Sequence, residues 1–132
     1  MHIAITLPWK VIRDLKTYEK RYELRRRIPG FFDDRFDYVA VVEKGTKRCP
    51  LLLKISSFKY VSAESIRADL PHWAEKLCVP EEWIKDYIKG EVYLVLWKIG
   101  AAHETPDPEA TYRRLKLKRN PQSYVYIKSK NI

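Results

Sequence analysis

Apolar and polar positions along this chain fall into short blocks of distinct period, and each block predicts an element. His2–Leu7 is a run of β-formers closed by Pro8, which predicts a strand with proline opening the helix that follows. Trp9, Ile12, Leu15, Tyr18 and Tyr22 then recur every three or four residues, the stripe of a helix facing a core. Lys10, Arg13, Lys16 and Lys20 lie on or beside its wetter side. From Lys20 to Arg27 the pattern changes to alternation. Tyr22, Leu24 and Arg26 fall on one face of a strand and Arg21, Glu23, Arg25 and Arg27 on the other, because successive strand side chains point to opposite sides. Ile28-Pro29-Gly30 breaks the strand, and Phe31–Arg35 reads as a loop with two aromatics.

Phe36–Glu43 is nearly continuous in apolar character, as in a strand buried on both faces. Lys44–Arg48, with Gly45 supplying a turn, connects it to a second long strand, Leu51–Val61, interrupted by Ser56-Ser57. A helical region follows from Ser62, whose hydroxyl can cap it. Pro71 should split that region, because a mid-helix proline loses a hydrogen bond and clashes with the preceding turn. Pro80–Gly90 carries proline near its start, acids in its first turn, lysine in its last and glycine beyond, and reads as a further helix. Glu91–Ile99 returns as a buried strand, Thr105–Pro108 as a surface loop, Glu109–Lys116 as a short basic helix and Ser123–Lys128 as a closing strand. The order β-α-β-β-β-α-α-β-(α)-β predicts an α+β fold, a small barrel with helices packed outside.

Length and composition narrow the classes. A chain of 132 residues is the size of one ordinary domain, so residues 1–132 are read as one unit with a basic extension over 105–132. Hydrophobic residues at 45% and charged residues at 33% describe a globular chain rather than a disordered one, and that much charge also fits a thermophile. No apolar run approaches the ~20 residues of a membrane span. Met1–Pro8 lacks the basic leader and apolar core of a signal peptide, so a cytoplasmic protein with no membrane partner is expected. Cys49 and Cys78 match no metal spacing and read as free thiols, with a mutual pairing left open. His2, His72 and His103 follow no ligand spacing either, so neither a metal nor a cofactor is expected.

The net charge of +9 is unevenly placed. Residues 10–27 hold eight Lys/Arg against three acids and residues 105–132 hold seven against two, so each segment carries +5 and the rest of the chain −1. Clustered cations suit a polyanion, because neutralised phosphates release counterions. Between Lys20 and Arg27, one strand face holds Glu23 flanked by Arg21 and Arg25, with same-face neighbours roughly 7 Å apart along the strand. That spacing lets a carboxylate orient an arginine, and lets two arginines hold one phosphate or base edge. It equally describes a solvated edge strand whose charges deter pairing. No glycine-rich phosphate loop and no nucleophile elbow is present, and Asp33-Asp34 and Glu81-Glu82 have ready structural roles in a loop and a helix start.

The run Lys20-Arg21-Tyr22-Glu23-Leu24-Arg25 resembles the Gly-Lys-Lys-x-x-Glu-x-Arg signature of ASCH domains, the activating-signal-cointegrator homology group of the PUA-like superfamily. Asp86–Gly90 leading into Val92–Trp97 is similar to the family's Tyr-x-x-Gly ending before a strand, and the likeness spans roughly residues 3–100. It implies a PUA-like mixed β-barrel of about five to six strands with two to four helices outside. A cleft between barrel and helices would be lined by Lys20, Glu23 and Arg25. It also implies nucleic-acid binding, RNA in particular; for the chain itself a monomer or weak homodimer is expected. Lys20, Arg21 and Arg25 would meet phosphate or base edges, with Arg13, Arg113, Arg114 and Lys118 extending the footprint. Tyr87, Tyr60, Trp9 and Phe31 would be candidate stacking groups. The alternative is a small hydrolase on a nucleoside or RNA in the same cleft, Lys20 and Glu23 handling charge and protons. Family amidohydrolases carry a threonine where this chain has Glu23, and their second-helix glutamate has no clear counterpart near Glu75–Leu77, which counts against that activity. Tyr18 stands where the signature has glycine.

Overall fold

Six strands and five helices follow one another in the computed structural model, which describes residues 1–128. The strands are β1 (His2–Leu7), β2 (Tyr22–Arg25), β3 (Val39–Glu43), β4 (Leu51–Ser62), β5 (Tyr93–Glu104) and β6 (Tyr124–Ile127). The helices are α1 (Trp9–Lys16), α2 (Ala63–Ala68), α3 (Leu70–Leu77), α4 (Glu81–Ile88) and α5 (Pro108–Leu115). All six strands join one mixed sheet in the order β2-β5-β4-β3-β1-β6. Only β1 and β3 run parallel; the other neighbours are antiparallel. The α+β expectation holds, with two differences. Five helices surround the sheet rather than two to four, and the sheet does not close, because β2 and β6 are free edges.

Both faces of the sheet are covered, which explains the near-continuous apolar runs of β3 and β5. Ile3, Ile5, Val39, Val41, Leu51, Leu53, Val95 and Trp97 form the inner core, joined by Ile12 and Leu15 of α1. On the outer face, Leu24, Leu94 and Leu96 pack against Ile66, Leu77, Ile84 and Ile88 of α2, α3 and α4. Further along the same outer face, Ala4, Ala40 and Val42 pack against Leu115 of α5. The basic extension therefore supplies a helix over β1 and β3 and a strand beside β1. Lys130 of that extension lies outside the described residues.

The Ser56-Ser57 interruption is a double bulge. Pairing steps from Lys54↔Ala101 to Ile55↔Ile99 to Ser57↔Lys98, leaving Gly100 extra on β5 and Ser56 extra on β4. Sidedness changes parity there: Leu51, Leu53 and Ile55 face the inner core, and so does Phe58 beyond the bulge. Glycine fits closely opposite it: a Cβ on Gly100 would stand 3.2 Å from Ser56 Cβ, and Ser56 would have to give by a few tenths of an ångström to admit one. Bulges bend and twist the strands that carry them. The curl brings the two free edges together, and residues leaving β2 and residues entering β6 line one cavity between them.

Several boundaries differ from the periodicity. The α1 stripe was expected to run to Tyr22, yet the helix ends at Lys16, and only Ile12 and Leu15 of the stripe are fully buried. Tyr18 takes a left-handed backbone, φ 60°, at the position of the signature glycine, and that turn redirects the chain into β2. β3 begins at Val39 rather than Phe36, because Asp33–Asp37 close a turn. In it the Asp33 N–H donates to Asp37 Oδ2 at 2.7 Å and the Asp37 N–H to Asp33 O at 2.8 Å. Pro71 splits α2 from α3 as expected, standing in the first turn of α3. Both cysteines are free, Cys49 buried beneath α5 and Cys78 just past α3.

Candidate functional site

The first residues of the motif come together in a cavity of about 360 Å³ between the end of β1, α1, β2 and the α3–α4 junction. Lys20 is 3% exposed, and its Nζ donates to Leu77 O at 2.6 Å, so its ammonium sits on the C-terminal carbonyls of α3. Glu23 is 8% exposed on the inner side of β2. Among the described residues its carboxylate has neither a hydrogen-bond donor nor a cation within ion-pair distance. The remaining walls are mostly apolar, with Val11, Leu24, Leu77, Val79 and Pro80, and Trp83 at one side. Cys78 also lines the cavity. Burial pushes its thiol up, against the pull of the nearby Lys20 ammonium.

Arg25, expected in the same cleft, lines a second cavity of about 430 Å³ in the seam between β2 and β6. Arg26, Arg27, Tyr87, Trp97 and Tyr124 line it as well. The Arg25 guanidinium lies 5.8 Å from the Trp97 ring centroid. Arg26 stacks 4.4 Å from the Tyr87 ring, donates from Nη2 to Tyr87 O at 3.1 Å and lies 3.5 Å from Glu91 Oε1 through Nε. Tyr87 joins the two cavities. Its ring stacks on Trp83 of the first at 4.7 Å and 11°, and its phenol, pushed up by burial, feels both Arg25 and Glu23.

The other expected residues lie elsewhere. Arg21 is exposed over Tyr18 at 5.6 Å, and Arg13 is exposed on α1, its Nε 3.9 Å from Asp14 Oδ1. Arg113 and Lys118 line a third cavity, about 670 Å³, with Lys47, Arg48, Tyr112 and Lys116, and it shares no residue with the first two. Arg114 points away from that group and donates to Thr111 Oγ1 at 3.1 Å. Of the expected stacking groups, only Tyr87 lines a cavity near the motif; Trp9, Phe31 and Tyr60 are exposed apart from it. No cluster of three or more metal-ligating side chains occurs among the described residues. Sequence reading missed Trp83, Trp97 and Tyr124. A signal existed for the first: Trp83 and Tyr87 stand at i and i+4 of α4, a spacing that places two side chains side by side.

Neither a family model nor a curated protein matches the sequence. Solved structures do. The ASCH protein of Zymomonas mobilis superposes with a TM-score of 0.77 at 13% identity, over 98% of this chain and 90% of that one. A serine-to-alanine variant of that protein gives 0.78 at 12% identity, over 98% and 90%. A tyrosine-to-phenylalanine variant gives 0.77 at 13%, over 98% and 92%. This chain has the ASCH fold. At this identity the likeness is one of architecture, and the ASCH fold here sets the motif strand β2 at a sheet edge, between the inner core and α3–α4.

Proposed function

We propose that this protein binds RNA by taking an unpaired base into the cavity of Lys20 and Glu23. The observation that carries the reading is Glu23, a largely buried residue on the cavity wall whose carboxylate has no protein donor among the described residues. A carboxylate that lines a cavity and meets no protein donor is free to accept a charge-assisted hydrogen bond from a ligand N–H. A cavity of this volume falls within the usual range for small ligands, and its apolar walls and flat indole suit a base face. The edge of cytosine, adenine or guanine brings an amino group to a carboxylate acceptor, whereas uracil presents only its N3–H, flanked by two carbonyl oxygens that repel a carboxylate. Bases in a duplex are already paired, so the ligand is a single strand or a splayed nucleotide. The +9 net charge supports a polyanionic partner, and the ASCH fold agrees with a PUA-like binding module.

The hydrolase alternative finds less support. Lys20 already donates to Leu77 O, and the one thiol in the cavity, Cys78, is held toward its unreactive protonated form by burial. The test is fluorescence anisotropy of labelled single-stranded RNA, duplex RNA and duplex DNA at two salt concentrations, with wild type and Glu23→Gln. Single-stranded RNA should bind tightest and weaken with salt. Glu23→Gln should lose about tenfold or more on cytosine- or guanine-containing strands, as expected for a charge-assisted hydrogen bond, and little on oligouridine. Equal binding of the variant to every strand overturns the reading.

A further inference from the structure

We propose that the seam between β2 and β6 is a phosphate-binding site, which holds the phosphate of the nucleotide whose base enters the Glu23 cavity. The proposal rests on the base-capture reading for its partner but on separate observations for the site. Two donors in the seam have no partner among the described residues: Arg25 Nε and Trp97 Nε1, both shielded from solvent. Trp97 is 1% exposed, and both residues line the cavity between the sheet's edges. Indole and guanidinium nitrogens only donate, so neither can be satisfied by turning around. Native structures leave few such groups unpaired, because each gives up its hydrogen bonds to water and gains none in return. Two on residues that line one cavity point to an acceptor that arrives from outside.

Charge identifies the acceptor. Arg25, Arg26 and Arg27 all line the seam, and its carboxylate, Glu91, already lies beside Arg26 at 3.5 Å. An anion with several oxygens meets this arrangement better than a neutral carbonyl, and guanidinium geometry matches phosphate. Gln122 and Ser123, at the approach to β6, add polar groups on the opposite wall. The stacked pair Trp83 and Tyr87 joins the two sites, Trp83 lining the base cavity and Tyr87 the seam, so that base and phosphate of one nucleotide would lie on either side of the pair. The free ligand could equally be inorganic phosphate or a mononucleotide, since both present the same group.

The full-length chain, labelled with ¹⁵N, is titrated with sodium phosphate, with sulfate-free buffer as control, while the indole N–H signals are followed by NMR. Trp97→Phe assigns the signal, and Arg25→Gln serves as a second variant should the first unfold. Phosphate should move the Trp97 indole resonance saturably, and Arg25→Gln should weaken that response at least fivefold. A Trp97 signal unmoved by phosphate, or one moved equally in Arg25→Gln, overturns the site. A second titration compares a nucleoside with its 5′- and 3′-monophosphates. At least one monophosphate should bind tenfold or more tightly than the nucleoside, an advantage that Arg25→Gln removes. Equal affinities overturn the link between the two cavities. Because inorganic phosphate carries no base, the first titration judges the seam apart from base capture, which Glu23→Gln judges by itself.

Discussion

Glu23 makes no hydrogen bond or ion pair among the described residues, and its carboxylate lines a cavity rather than the packed core. Glu23→Leu should therefore leave the urea midpoint unchanged or raise it by up to about 1 kcal/mol, while the proposed base binding is lost. A lower midpoint would mean that the carboxylate is satisfied in the fold. The alternation of Tyr22–Arg25 revealed which face Glu23 shares with Arg25. It could not reveal that the two point into different cavities, because the stacked pair that joins those cavities, Trp83 and Tyr87, comes from a helix some sixty residues later. For the same reason the burial of Lys20 was illegible: nothing local tells a solvated lysine from one that donates to Leu77 O.

At the scale of elements, local chemistry was legible and turns were less so. Pro71 splitting α2 from α3, and the proline, acids and glycine bracketing α4, act within a few residues and were read directly. The end of α1 was not. Tyr18 and Tyr22 continue its apolar stripe, and only the left-handed backbone at Tyr18 stops it. Lys20 then ties the start of β2 to the end of α3, holding one wall of the Glu23 cavity against another. Lys20→Met keeps the stem but strands the Leu77 carbonyl, and should cost about 1–2 kcal/mol. Hydrogen exchange should show that loss concentrated in α3 and the start of α4; protection unchanged there would mean that apolar packing alone fixes the helix.

Across the whole molecule, the two basic segments of the sequence become four separate places. The first divides between the Glu23 cavity, the seam and exposed α1, and the second forms its own cluster around Tyr112. Charge counting located cations along the chain but not their grouping, which depends on the curl of the sheet. That curl in turn depends on the two extra residues, Ser56 and Gly100, that interrupt the β4–β5 ladder. Deleting both would leave a regular ladder with every flanking side chain on its present face, so the protein should still fold. The sheet would be flatter, and its edges would part. Trp97 should then emit at longer wavelength as water reaches it, and phosphate should lose its hold. The aperture of the seam is thus regulated from a distance, by the spacing of residues that belong to neither of its lips.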